Sequence, residues 1–347
     1  MWRRSISLVA LALIASTCAS AVATGAVGTS EPSSRHGSTG TAYEPGIGPD
    51  EPWLVFAWDP GSLYMVRLDG TDRYRLDIAA DGAAFAPAWS PDGQRIVFVV
   101  KDDAWPDGAI WTAAADGSGA QLFYAGGGDC DSTYWPVWSP DGRYLSFVCY
   151  RDAEPVVSVL AILDSETMTM REMATLQWPE TIDNPAGWSP DGTMLVFDVL
   201  TWDPTDTFVA ESVVATVSVA TDTITRLTDP AMFAAHPDWS PDGSLLVFNT
   251  YDTGNIHGIS EPSNLYTVKP DGSGMRQLTT VSIDGTMRLG MPFWSMDGSR
   301  VWVSVARDYE KDSNGQFRNT LGVVDASTGE LVELDVEGKR FRGRPTQ

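Results

Sequence analysis

The sequence predicts an all-β protein, a six-bladed β-propeller with four antiparallel strands per blade, and three observations carry that prediction. The pentapeptide Trp89-Ser90-Pro91-Asp92-Gly93 recurs at Trp138, Trp188 and Trp239, and in altered form at Trp294, at intervals of 49, 50, 51 and 55 residues. Nine residues after the first four tryptophans stand Phe98, Phe147, Phe197 and Phe248, with Val303 in the fifth copy. A second turn motif follows each copy, as in the stretches from Ser62 to Leu76 and from Asn264 to Leu278. A period near 50 residues marks a repeat architecture whose units cannot bury their apolar faces alone.

The elements follow in order. Ile96 to Val100, Leu145 to Tyr150, Leu195 to Leu200, Leu246 to Thr250 and Val301 to Val305 are β-branched and aromatic runs bounded by Pro, Asp and Gly, which is strand patterning. The pentapeptide is then a hairpin turn: Pro presets φ, Asp bonds nearby backbone and Gly takes the left-handed position. The register extends to a decayed sixth copy at Ile47-Gly48-Pro49-Asp50-Glu51, nine residues before Phe56. Second hairpins are expected at 62–76, 110–123, 160–173, 214–227, 264–278 and 321–334. One strand before the pentapeptide, one after it and this pair make four per unit, and six units make the ring.

The Trp-Ser-Pro-Asp-Gly copies resemble the repeats of TolB-type propellers over roughly residues 43 to 334. That resemblance implies the fold more strongly than any activity, because the same blade serves transport accessory proteins, peptidase gating domains and some lyases.

Around the repeats the chain divides into a leader (1–23), a linker (24–46), the propeller (47–335) and a basic tail (336–347). Arg3 and Arg4 precede an apolar stretch from Ile6 to Ala15, too short to span a bilayer. Small-residue cleavage sites follow, as in an export signal. Cys18 offers a lipid-anchored alternative, but Ala15-Ser16-Thr17 fits a lipobox poorly. Residues 24–46 are rich in Gly, Ser, Thr, Ala and Pro, without apolar period, which reads as a flexible tether. Lys339, Arg340, Arg342 and Arg344 make the tail basic; it either docks on the acidic body or adds a strand that helps close the ring.

A net charge of -23 and a pI near 4.3 disfavour nucleic acid and anionic membrane surfaces as partners. They allow cationic ligands and also serve solubility. The expected partners are an envelope or secreted protein, or a carbohydrate or cationic ligand, and a monomer is expected. Cys130 and Cys149 lie near enough across the third hairpin for a disulfide, residue 149 falling roughly opposite residue 133; a buried Cys149 with a free Cys130 is the alternative.

Candidate binding residues sit on long loops and at the channel. Trp105, Trp202, Tyr251 and Tyr309 lie among acids in the segments 101–108, 201–208, 250–263 and 306–319. Aromatics among carboxylates suit a sugar, a cation or a basic peptide, and equally suit anchors that pack loops onto blades. The residues before the inner-strand prolines are Ala86, Trp135, Asn184, His236 and Met291, a ring of unlike side chains. The resemblance extends to oligogalacturonate lyases, which hold a metal with several channel histidines; here His236 and His257 are the two histidines beyond the linker, and a structural His236 is the preferred reading. Asp312, Asn314 and Gly315 match part of a calcium loop, read as an exposed turn first and a calcium site second; no cofactor is otherwise expected. There is no Gly-x-Ser-x-Gly, His-Glu-x-x-His, Cys-x-x-Cys or phosphate loop. The expectation is an exported binding scaffold without chemistry, with a carbohydrate-active lyase or hydrolase as the alternative.

Overall fold

The computed structural model describes residues 53–57, 61–67, 71–78, 82–102, 108–126, 130–203, 205, 209–250, 263–281, 287–311, 317–337 and 339–343. They form six four-stranded antiparallel sheets. The second blade shows the common order: an inner strand Ala83–Trp89, then Arg95–Lys101, Ala109–Ala114 and the outer Gln121–Tyr124. The third to sixth blades repeat it, with inner strands Ser132–Trp138, Glu180–Trp188, Ala234–Trp239 and Met287–Trp294. The first blade differs. Beside its strands Trp53–Ala57, Leu63–Arg67 and Tyr74–Arg75, the inner place is filled by Lys339–Gly343 from the C-terminal end. Leu54 pairs with Gly343 and Val55 with Arg342. Of the two roles expected for the basic tail, strand addition is the one taken, and the last segment of the chain closes onto the first blade.

Each pentapeptide folds as its residues dictate. The Ser hydroxyl donates to the Asp carboxylate at 2.5–2.7 Å in all five turns. The same carboxylate accepts the backbone N–H two residues on, and Gly closes the turn at φ between 63° and 71°. Successive turns also touch. A Cβ on Gly142, Gly243 or Gly298 would meet the proline ring of the preceding blade's turn at 3.4–3.5 Å, so the glycine serves contact between blades as well as conformation.

The core lies between blades. Val97 and Ile110 of the second blade pack with Leu145, Phe147 and Val159 of the third. Val196 and Val214 of the fourth pack with Trp239, Leu246 and Phe248 of the fifth. Phe293 and Trp302 of the sixth pack with Leu54 and Phe56 of the first. Each fully buried phenylalanine is worth about 1.5–3 kcal/mol in area removed from water, and no blade supplies both sides of its own cover.

Phe56, Phe98, Phe147, Phe197 and Phe248 are the largest fully buried side chains. Each stands opposite an irregularity of its inner strand. Phe85 pairs with Val99 and Ala88 with Val97, so Ala86 and Pro87 face Phe98 alone. The third, fifth and sixth blades repeat this two-against-one bulge. The fourth fits three residues, 184–186, into the same gap. In the first blade Arg340 and Phe341 occupy it.

Cys130 and Cys149 are both buried, with Cα atoms 5.5 Å apart, inside the span a disulfide needs. Thr133 pairs with Cys149, as the hairpin register requires. Gly126, at φ 72°, turns the chain back so closely that a Cβ there would lie 3.1 Å from the Cys130 carbonyl oxygen. Closing a loop of 19 residues contributes about 3 kcal/mol in the chain-entropy account. The placement supports a Cys130–Cys149 bond. Denatured protein freed of its first 46 residues should show no reactive thiol before reduction and two after it; two thiols without reductant would refute the bond.

Candidate functional site

The bulges set the inner wall of the ring. Ala86, Trp135, Asn184, His236 and Met291 each precede an inner-strand proline, and each has positive φ, at 51°, 58°, 30°, 54° and 53°. A non-glycine residue there costs about 1–2 kcal/mol. Such strain persists only where the surroundings over-determine it. Here the buried side chain opposite, Phe98, Phe147, Phe197, Phe248 or Val303, fixes the gap, and proline fixes the following φ. A bulge re-aims a side chain out of the ladder. By register Arg340 of the closing strand holds the sixth position. Trp135, Asn184, His236 and Met291 are half-buried, while Ala86 is buried. The backbone is thus repeated five times and the side chains are not repeated at all.

One sector of this wall is polar. Asp183 pairs directly with Asp198 across the two inner strands of the fourth blade. Asn184 Nδ2 donates to Asp183 Oδ2 at 2.9 Å. Asp198 is 1% exposed, and its Oδ2 accepts the His236 backbone N–H of the fifth blade at 3.2 Å. Among the described residues its buried Oδ1 has no hydrogen-bond partner. His236 Nδ1 lies 2.8 Å from Asn249 Oδ1, and the Nδ2 of the fully buried Asn249 has no partner among the described residues. On the other side, Tyr150 donates its hydroxyl to the Ile182 carbonyl at 2.7 Å, and Lys101 Nζ donates to Tyr134 at 2.9 Å. A polar arc therefore runs over four blades.

Burial, and next the Asp183 carboxylate, push the Asp198 carboxyl well above its ordinary range; hydrogen bonds from the His236 and Asp198 N–H groups and from Asn184 pull the other way. Burial first, then Asp183, likewise push the Tyr150 hydroxyl up. The turn aspartates show the opposite: hydrogen bonds from Ser295 and Ser299 hold the Asp297 carboxyl down to about 2.

The acid pair was not among the expected site residues, though a signal existed. The position after the repeated phenylalanine is Val99 in the second blade and Val148 in the third, but Asp198 and Asn249 in the next two, and Ser304 follows Val303 in the sixth. Of the expected residues, Trp135 and His236 lie on the wall. Trp202 is 3% exposed, its ring stacked on Trp178 at 5.9 Å and its Nε1 donating to Thr181 Oγ1 at 3.0 Å. It anchors its strand end and presents no surface to a ligand. Trp105, Tyr251 and His257 lie outside the described residues, as do Cys18 and the segment 312–316 of the expected calcium turn. Tyr309 falls in the long strand Arg300–Lys311, where its side chain is outside the description. Among the described residues no group of three or more His, Cys, Asp or Glu is placed to hold a metal ion, and no helix is long and apolar enough to cross a membrane.

Comparison with known proteins supports the fold. No protein-family profile matches the sequence, and no curated protein matches it. Among solved structures, a protein assigned as TolB from Agrobacterium tumefaciens is similar at 20% identity and TM-score 0.59, over 83% of this chain and 90% of that one. TolB from Acinetobacter baumannii is similar at 16% identity and TM-score 0.60, over 85% and 65%. An oligogalacturonate lyase from Vibrio parahaemolyticus is similar at 15% identity and TM-score 0.54, over 78% and 70%. At these identities the likeness is one of fold.

Asp198 also makes a stability prediction. An acid whose folded pKa lies above its unfolded value of about 3.8 takes up a proton on folding, so its cost grows as pH rises through that window. Asp198→Asn keeps the acceptor for the His236 N–H. It should raise the unfolding free energy by about 1–3 kcal/mol near neutral pH, and the gain should vanish as the pH falls below that unfolded value. Unfolding curves across this range check it; a loss of stability at neutral pH would contradict it.

Proposed function

We propose that this chain is an exported binding scaffold of the cell envelope that engages its partner at the inner wall of a TolB-like propeller. One observation carries the reading: five equivalent backbone positions are held in the same costly conformation, yet they carry Ala, Trp, Asn, His and Met. A repeated metal or cofactor site would repeat its ligands around the ring. An uneven ring of aromatic, amide, imidazole and thioether groups suits recognition of one asymmetric partner segment. The partner is an envelope or secreted protein, or a carbohydrate or cationic ligand. Export rests on the basic and apolar leader at 1–23, with 24–46 as a tether.

The likeness in fold to oligogalacturonate lyases motivates the alternative, a carbohydrate-active enzyme using channel carboxylates and His236.

The two readings separate in one experiment. The immobilised full chain should capture a defined partner from envelope extract, and Trp135→Ala with Met291→Ala should reduce that capture at least about ten-fold while the fold persists, as expected when a central interface aromatic is removed. Cleavage of oligogalacturonides that stops on His236→Ala or on chelation would overturn the scaffold reading.

A further inference from the structure

We infer that the Asp183–Asp198 pair, reached from the channel beside Asn184 and His236, receives one guanidinium group. The inference rests on the proposed use of the inner wall for binding and names the chemistry that this sector accepts.

Three observations carry it. First, the pair is expensive and the fold does not need it. The position of Asp198 is Val99 in the second blade, Val148 in the third and Ala57 in the first, and those blades build the same sheet. A second carboxylate directly across the ladder adds repulsion to desolvation. Second, Asp198 Oδ1 is an acceptor with no donor among the described residues, in a residue 1% exposed. A buried acceptor left so costs about 1–3 kcal/mol, and an entering donor recovers that cost. Third, Asp183, Asn184 and His236 are half-buried, so the sector meets solvent through these residues, while Asp198 is 1% exposed.

The donor must be positive and broad. A hard metal ion needs more oxygen ligands than a carboxylate pair gives, and among the described residues no third His, Cys, Asp or Glu joins it. An ammonium is a compact, strongly hydrated point charge. A guanidinium is weakly hydrated and presents five donors in a plane, enough to span two carboxylates and the Asn184 amide oxygen. Trp135 holds the corresponding position of the neighbouring blade. The net charge of -23 attracts a cation to the protein as a whole.

Calorimetry on the purified full chain at low ionic strength tests this with agmatine, with a blocked Gly-Arg-Gly peptide and with its neutral citrulline counterpart. The peptide or agmatine should bind with one site, and citrulline at least about ten-fold more weakly, as charge-assisted bonds require. Asp198→Asn and Asp183→Asn should each weaken binding at least about ten-fold with no fall in unfolding midpoint. A peptide that outbinds agmatine identifies a partner's arginine side chain as the source; the reverse order identifies a free small molecule. Equal binding of citrulline, unchanged binding in both variants, or no binding of either probe overturns the inference. Lost partner capture with arginine binding intact would sink the scaffold reading alone, and intact capture without arginine binding would sink this inference alone.

Discussion

A buried apolar side chain wedged behind each inner strand, phenylalanine in five blades and Val303 in the sixth, is the contact on which the rest depends. Phe56, Phe98, Phe147, Phe197 and Phe248 are fully buried at one repeated place, and the strand in front must give two or three residues where the ladder expects one. That excess sets a left-handed residue before a proline in five blades. Burial worth about 1.5–3 kcal/mol at the phenylalanine is set against about 1–2 kcal/mol of backbone strain. The exchange is close to neutral for stability and leaves five side chains re-aimed out of the ladder.

The ring supplies the second constraint. Each apolar cluster joins residues of two blades, so a blade is stable only with neighbours on both faces. The first and last blades meet through Lys339–Gly343, which completes the first sheet from the far end of the sequence. The Ser-Asp-Gly turns and the glycine-on-proline contacts fix the spacing of blades at one end. Because the scaffold is over-determined in this way, one sector can carry a desolvated acid pair without loss of the fold, and function concentrates where local rules are broken.

Much of the fold was legible in the sequence, because a period of fifty residues survives in residue types that have one structural use: tryptophan, the Ser-Pro-Asp-Gly turn and the phenylalanine nine places on. Even the facing of residues 133 and 149 follows from the turn position. The ring of pre-proline residues could be identified, but not its positive φ, since Ala86, Trp135 and Met291 carry no sign of a left-handed conformation. The alternative roles of the tail could not be separated, because strand addition is decided by a pairing with residues nearly 290 positions earlier. Trp202 was legible as an aromatic among acids that either binds or anchors, and the choice could not be made from sequence, since its partners Trp178 and Thr181 are set by blade geometry. Asp198 was hidden by the opposite circumstance: one acid inside an apolar run is unremarkable until the strand opposite supplies Asp183.

The central claim, that the closed ring holds pre-proline residues in a left-handed conformation, is tested most directly by comparing glycine substitutions two residues apart. Ala86 and Ala88 are equally buried in one strand, but only Ala86 has positive φ. Measured by equilibrium denaturation, Ala88→Gly should cost about 0.5–1 kcal/mol, as glycine does in a strand, while Ala86→Gly should be neutral or stabilising because glycine adopts that conformation freely. Equal losses at the two positions would contradict the account.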